Sequence, residues 1–242
     1  MMADGRATRP FWPERLQRSA LQALGLLLVP LLCRPGLAHA DPVPISPAET
    51  MLFMTPHLQE VQPPSRLHYA FRKSGTLEKG FSETVDVDVT TGPDGKRQTA
   101  VRAFSSAGQV SSPELEQAET NPALLFYLER EVGEMTRLTR GSTFHFTKQI
   151  RIALAESAQI QDVEIEFGGR KLRARQITIS PYKSDPYADR YPDQRLMAKQ
   201  YVFTICETIP GRLYQVRGVV PATSGEAVID ETLTFTSAGA PH

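Results

Sequence analysis

Apolar and polar residues alternate with a period of two from Leu67 onward, which is the pattern of half-buried β-strands. The best-specified hairpin joins residues 85–89 to residues 96–103 through Gly-Pro-Asp-Gly at 92–95, which suits a three-residue loop with a left-handed glycine. Because this loop places position 92 opposite position 96, it also predicts the register. The predicted pairs are Val89 with Thr99, Val87 with Val101, Val85 with Ala103 and, on the other face, Asp86 with Arg102.

The period changes to that of α-helices between residues 121 and 158. Asn121-Pro122 caps the first predicted helix, which Gly141 ends, and Ser142 caps a second helix over about 143–158. The short connection makes the two a helix pair. The acidic residues Glu129, Glu131 and Glu134 are expected on the outer face of the first helix. The predicted buried stripes are Leu124, Leu125, Leu128, Val132, Met135 and Leu138 on the first helix, and Phe146, Ile150, Ala153, Leu154 and Ser157 on the second.

Five further strands follow the helices, near residues 163–167, 170–180, 201–205, 214–220 and 227–236. Gly168-Gly169 predicts a two-residue turn that pairs Glu166 with Lys171 and Glu164 with Arg173. Pro210-Gly211 predicts a wider loop, because a Pro-Gly turn twists poorly into a tight hairpin. The shift of apolar positions from Ala174 to Ile177 indicates either a bulge or a strand buried on both faces.

Strands and helices in separate blocks predict an α+β fold. We expect a single domain over residues 66–236, in which a curved antiparallel β-sheet of about seven to eight strands packs on a central helix pair. Residues 41–65 form an N-terminal arm with a Pro-rich linker, and Ser46 and Glu49 form a capping box for a short helix within it. We expect a loop over 105–120 and a frayed tail over 237–242.

Residues 1–40 have the form of a cleavable export signal. Four arginines against two acidic residues precede an uncharged run of 14 residues, Ala20–Cys33, which is too short to span a bilayer comfortably. Ala38-His39-Ala40 supplies the small residues of a cleavage site before Asp41. We therefore predict a soluble exported protein, periplasmic or alternatively secreted, with no integral membrane segment after cleavage.

Composition narrows the function classes. Residues 1–40 hold five of the 27 basic and two of the 27 acidic residues, which leaves 22 and 25 and a net charge of about −3. This balance argues against nucleic acid and anionic membrane surfaces as partners. Only Cys206 remains after cleavage, so no intramolecular disulfide is possible. A chain of this length buries about 70% of its unfolded surface, which is enough for one stable core.

The segment 181–195 is the main candidate site, because it is long, has no periodicity and interleaves three tyrosines with three aspartates. It is interpreted either as a rigid flap that packs on the sheet, as a ligand contact, or as a hard-cation site. The spacing lacks the alternate ligands and central glycine of a calcium loop, and neither a metal nor a cofactor is expected. The candidate ligand- or partner-binding residues are Tyr182, Asp185, Tyr187, Asp189, Arg190 and Tyr191.

Other titratable residues favour structural roles. Asp86 and Asp88 share one strand face, as an acid/base pair would, but alternating charge on an outer strand face explains them equally well. Histidines 57, 68, 145 and 242 are too dispersed in sequence to form a metal motif. Cys206 lacks an identifiable base and is expected to be a small buried side chain. No Gly-x-Ser-x-Gly, Walker, Rossmann or His-Glu-x-x-His pattern occurs.

The layout resembles that of the LolA/LppX-like periplasmic half-barrel proteins, which carry lipid or lipoprotein cargo. The resemblance covers residues 66–236, where hairpins lie on both sides of a helix pair, and it includes no family motif, so no functional residue is transferred. It implies a carrier of apolar cargo.

These observations favour a non-enzymatic exported binding protein that holds an apolar small molecule or a peptide between the sheet and the helix pair. One alternative is a structural or assembly factor of the cell envelope, which would bind an envelope protein through residues 181–195 or a sheet edge. Another is a hydrolase that uses Asp185, Asp189 or His68.

Overall fold

The computed structural model describes residues 44–105, 108–111, 115–116 and 118–240, with the backbone alone at 104–105 and 108–111. The predicted export signal, its cleavage site and residues 41–43 lie outside the described residues, as does His242. Within the described ranges, no helix has the length and apolar character needed to cross a membrane.

The described part of the chain is an α+β domain, as predicted. The helices are α1 Pro47–Glu49, continued by a π-helical turn at Thr50–Met54, α2 Pro122–Thr139 and α3 Thr143–Glu156, with 3-10 turns at Ala188–Arg190 and Gln194–Ala198. The strands are β1 Ser65–Ser74, β2 Phe81–Thr91, β3 Arg97–Ser105, β4 Gly108–Ser111, β5 Leu115–Glu116, β6 Gln159–Phe167, β7 Arg170–Ile179, β8 Gln200–Ile205, β9 Leu213–Val220 and β10 Ile229–Gly239.

All described strands belong to one curved, open sheet in the order β4-β3-β2-β1-β10-β9-β8-β7-β6, with β5 paired to β3. Every pairing in it is antiparallel. Most neighbours are joined by local hairpins. The pair β7–β8 is instead connected by the long segment 180–199. β1 pairs with the last strand, β10, and so joins the strands before the helix pair to those after it.

The predicted hairpin registers are confirmed. Val85, Val87 and Val89 lie opposite the predicted partners on β3, and Gly92 N–H donates to the Lys96 carbonyl over 2.8 Å. In the β6–β7 hairpin, Glu164 lies opposite Arg173 and Glu166 opposite Lys171. The β8–β9 loop is wider than two residues, as predicted, because Cys206 N–H donates to the Arg212 carbonyl.

Two local predictions need correction, and an alternative left open for a third is decided. The segment 105–120, predicted as a loop, contains the short strands β4 and β5, which extend the sheet beyond β3. The tail predicted from residue 237 pairs with β1 as far as Gly239, because β1 begins early enough to offer it partners. For β7 the sequence allowed either a bulge or a strand buried on both faces, and the second is found: the β6–β7 register has no bulge, and Ala174 is buried on one face and Ile177 on the other.

The helix pair and the N-terminal arm cover one face of the sheet. Phe146, Ile150, Ala153 and Leu154 of α3 are buried, as the periodicity predicts. The capping box at Ser46 and Glu49 is present, and the Ser46 hydroxyl donates to the Leu154 carbonyl over 2.9 Å. Ala48 and Leu52 are fully buried. The arm is therefore part of the domain core.

His57 connects the arm to the start of α2 through hydrogen bonds of its ring. Its Nε2 lies 2.8 Å from the Met51 carbonyl, and its Nδ1 lies 3.3 Å from the Asn121 N–H, so Nδ1 accepts and Nε2 donates. Burial lowers the pKa of His57, which favours this neutral form. Asn121 caps α2 and also donates to the Tyr69 hydroxyl. The arm, α2 and β1 are thus linked by hydrogen bonds.

Candidate functional site

An open cleft of about 770 Å³ lies where the β6–β7 hairpin extends beyond the helix pair. Met51 and Thr55 of the arm form one wall, and Glu207 and Thr208 of the β8–β9 loop lie on another. The hairpin face between them carries exposed charged side chains instead of the apolar side chains that fill the covered part of the sheet. The hairpin residues that line the cleft are Asp162, Val163, Glu164, Lys171, Leu172, Arg173, Ala174 and Arg175.

The ion pairs in the cleft are weak. Lys171 lies 3.6 Å from Glu164, with both side chains mostly exposed, and Arg175 lies 4.0 Å from Asp162. Exposed pairs of this kind contribute about 0–1 kcal/mol each. Arg173 has no ion-pair partner among the described residues. These side chains are therefore free to exchange their partners for those of a bound molecule at little cost.

The 181–195 segment packs on the fold at its beginning and is exposed further along. Tyr182 is fully buried against Phe146, and its hydroxyl lies 3.4 Å from that of Tyr201. Asp185 is buried, and its carboxylate lies 2.7 Å from Nε2 of His145. These two contacts attach the segment to the start of α3.

The remaining candidate residues of this segment are more accessible. Tyr187 is 42% exposed, meets the His145 ring in an edge-on contact and has the Arg190 guanidinium over its ring. Asp189 and Arg190 are exposed, and Tyr191 is half-buried beside Phe146. Among the described residues, no three His, Cys, Asp or Glu side chains converge as a metal site would require. The six predicted residues thus divide into a buried anchor and an exposed outer part.

The most unusual chemistry lies under α2, in a network of buried charges. Lys199 and Glu131 are fully buried with their side chains in direct contact, and Lys199 also lies 3.2 Å from Glu231 on β10. Lys73 on β1 lies 3.2 Å from the other oxygen of Glu231 and also contacts Glu134 of α2. Glu231 is therefore held between two lysines.

The two buried glutamates titrate in opposite directions. Burial raises the pKa of Glu131 to about 8; the Lys199 charge opposes this and the Glu231 charge adds to it. Burial would also raise the pKa of Glu231, but a hydrogen bond from Glu131 and the charges of Lys199 and Lys73 outweigh it and lower the pKa to about 2. We infer that Glu131 is protonated at pH 7 and donates a hydrogen bond to the ionised Glu231.

Glycine makes room for this network. A Cβ at Gly218 of β9 would lie 2.7 Å from the Tyr127 hydroxyl and 3.1 Å from a Glu131 oxygen.

The sequence placed Glu131 on the outer face of α2, and that expectation is wrong, because α2 buries a second stripe that includes Tyr127 and Glu131. The network joins α2 to β1, to β10 and to Lys199, and so helps to position the helix on the sheet.

A second charged cluster lies on the opposite face of β1 and β2. His68 Nδ1 lies 2.8 Å from Asp86, and Arg66 Nε lies 2.6 Å from Asp88, which Arg102 also contacts. Asp86 therefore does not make its ion pair with Arg102, although the predicted register is correct. Asp86 pairs instead with His68, which lies directly opposite it on β1, and Arg102 reaches diagonally to Asp88. The hydrolase hypothesis named His68, Asp185 and Asp189. In the structure His68 contacts Asp86 on the neighbouring strand, whereas Asp185 contacts His145 at the start of α3.

Comparison with known proteins gives a likeness of layout. No protein-family model matches the chain, and no curated protein does. The chain is similar to the crystal structure of MucB (10% identity, TM-score 0.34) and to MucB in the Pseudomonas aeruginosa MucA/MucB complex (14%, 0.33). Each likeness covers 77% of this chain but only 56% of the other, so this chain spans just over half of MucB.

The chain is also similar to the LolA superfamily protein NE2245 from Nitrosomonas europaea, at 10% identity and a TM-score of 0.21, and the likeness covers 81% of this chain and 94% of that one. The half-barrel group that the sequence resembles in layout is thus represented among the similar structures. At these identities and TM-scores, the likeness carries no conclusion about what this chain binds.

Proposed function

We propose that the protein is an exported, non-enzymatic binding protein that holds a segment of a partner polypeptide in the cleft between the arm and the β6–β7 hairpin. The observation that carries this proposal is the open cleft, with exposed, weakly paired charges on its hairpin face. Such a surface suits a polypeptide, which offers charged side chains and backbone groups, better than an acyl chain, which offers neither.

The packing of the interior also favours a polypeptide over an apolar small molecule as the ligand. The space between the sheet and the helix pair is occupied by large buried side chains such as Tyr127, Phe146 and Tyr201, together with the Lys199 network. An apolar ligand held there would have to displace charged groups that are already paired, at considerable cost. We therefore prefer a peptide or protein partner, of the cell envelope if the protein is periplasmic, to an apolar small molecule.

Site-specific photo-crosslinking in the producing cells tests the proposal. A photoreactive residue at Glu207, exposed on the cleft, should crosslink a protein partner. The matched control is Glu226, which is exposed on a loop away from the cleft and should give no crosslink. Equal yields from both positions would contradict the proposal. So would native mass spectrometry that finds a small molecule which leaves on denaturation, because this would identify an apolar carrier.

The compartment is part of the proposal and has its own test. We place the mature protein in the periplasm, with secretion as the alternative, because of the export signal in residues 1–40. The intact mass of the fractionated protein should correspond to a chain that starts at Asp41. A full-length mass in the cytoplasmic fraction would overturn this.

A further inference from the structure

The free edge of the sheet at β6 borders the cleft. β6 is the last strand in the sheet order, and no other described strand pairs with its outer side. Each of its nine residues is exposed or half-buried. Asp162, Val163 and Glu164 belong both to this edge and to the cleft lining. A segment bound in the cleft would therefore lie beside unpaired backbone groups.

The turn of the β6–β7 hairpin determines which backbone groups are unpaired. Gly168 and Gly169 have φ values of 58° and 72°, as a two-residue type I′ turn requires, so Phe167 and Arg170 form a hydrogen-bonded pair. Alternation along the ladder then directs the N–H and C=O groups of Asp162 and Glu164 outward, together with those of residues 160 and 166. The Tyr214 hydroxyl donates to the Glu166 carbonyl, which agrees with this orientation.

The side chains of the same edge alternate in character. Asp162, Glu164 and Glu166 share one face, and Val163 and Ile165 lie on the other. A strand added beside β6 would place its own side chains next to these in the same alternation. Basic residues would stabilise the acidic face, and apolar residues would extend the other face. A second copy of this chain is a poor occupant, because its own β6 would place carboxylates beside carboxylates.

We propose that β6 receives an extended partner segment as an additional strand, in which lysine or arginine alternates with apolar residues. This inference rests on the proposed function and specifies its partner and mode of binding. The main-chain bonds come from the outward groups of Asp162 and Glu164, and selectivity comes from the acidic face.

Peptide binding to the full mature protein tests the inference. The probes are two fluorescent peptides of about ten residues, one alternating Lys with Val and the other alternating Glu with Val. The Lys peptide should bind about tenfold more tightly than the Glu peptide. In D162K/E164K, which leaves the backbone unchanged, the preference should invert.

A proline variant separates strand addition from simple charge attraction. Glu164→Pro removes an N–H that points to solvent, so the β6–β7 ladder keeps its bonds, and affinity for the Lys peptide should fall about tenfold. E164Q removes the same charge but keeps the N–H, and it should lose less affinity than E164P. Equal affinities of E164P and E164Q would overturn strand addition.

Failure of this inference can be distinguished from failure of the proposed function. If Glu207 crosslinks a partner while neither peptide binds, or while both bind equally, β6 is not the docking strand and the cleft remains a binding site. If no crosslink forms from the cleft and neither peptide binds, both proposals are wrong. Binding of the Lys peptide that depends on the Glu164 N–H supports both.

Discussion

Replacing Glu131 with glutamine should stabilise the protein at alkaline pH, although Glu131 is fully buried and in contact with a lysine. A conventional buried ion pair would predict the reverse, because removing one partner leaves an uncompensated charge and costs about 3–5 kcal/mol. Here the glutamate is the neutral member of the network and donates to Glu231. The glutamine amide has nearly the same shape and can make the same donation.

The size of the effect follows from the pKa. The Glu131 carboxyl titrates near 4.5 when unfolded and near 8 when folded, so between these pH values the folded protein holds a proton that the unfolded chain has released. The corresponding stability is fully present below pH 4.5 and is lost as the pH rises to 8, by about 5 kcal/mol in total. Glutamine does not titrate. E131Q should therefore match the parent within about 1 kcal/mol at pH 5 and exceed it by about 4 kcal/mol at pH 8.

Urea unfolding at pH 5 and pH 8, followed by circular dichroism, measures both differences. Glu231→Gln is the matched control, because the same chemical change removes the ionised member of the network. The Glu231 pKa of about 2 contributes stability that is present above pH 4.5 and lost toward pH 2, so E231Q should cost about 3 kcal/mol at pH 7. A loss of stability in E131Q at pH 8 would refute the reasoning, since it would show that Glu131 is ionised in the folded protein.

Three further results are expected. Gly218→Ala should lower the free energy of unfolding by about 1–3 kcal/mol, measured in urea, because its Cβ would lie 2.7 Å from the Tyr127 hydroxyl. Asp185→Ala should cost about 1–3 kcal/mol and speed amide hydrogen exchange in residues 181–195, because His145 loses its buried partner. Mature protein from the exporting cells should have an intact mass that begins at Asp41.

Each of these has a control. Gly133→Ala should raise stability by about 0.5–1 kcal/mol, because Gly133 is exposed in the middle of α2 and a Cβ there meets nothing within 4 Å. Asp189→Ala, at an exposed position of the same segment, should leave hydrogen exchange in 181–195 unchanged. Replacing Ala40 by a bulky residue should prevent cleavage. If Gly218→Ala lowered the free energy of unfolding no more than Gly133→Ala does, the packing described for β9 would be wrong.

The candidate site was only partly predictable. The sequence identified the 181–195 segment from its length and composition, but could not show that Tyr182 and Asp185 are turned into the fold while Tyr187 and Asp189 face solvent. It gave no sign of the cleft, because the arm, the hairpin and the β8–β9 loop that line it are far apart in the chain. Proximity of this kind depends on the order of strands in the sheet, which local periodicity does not encode.

The buried network did leave a signal in the sequence. Lys73 continues the apolar alternation of Tyr69 and Phe71, and Glu231 lies two positions before Leu233. A charged residue at a core-facing position of a strand requires a buried partner. The sequence could not identify those partners, because Lys199 lies at the end of a loop and Glu131 on a helix, and only the tertiary fold brings them together.

The sequence by itself determined what depends on neighbouring residues: the helix pair, the α+β class and the registers of the hairpins at Gly92–Gly95 and Gly168-Gly169. Turn geometry and side-chain period are local, so they can be deduced residue by residue. Only the tertiary structure decided that β1 pairs with β10, that α2 buries Glu131 as well as Leu124, Val132 and Met135, and that β6 remains a free edge of the described sheet beside the cleft. Those outcomes depend on contacts between segments that are distant in the chain, and such contacts form only when the whole sheet packs on the helices.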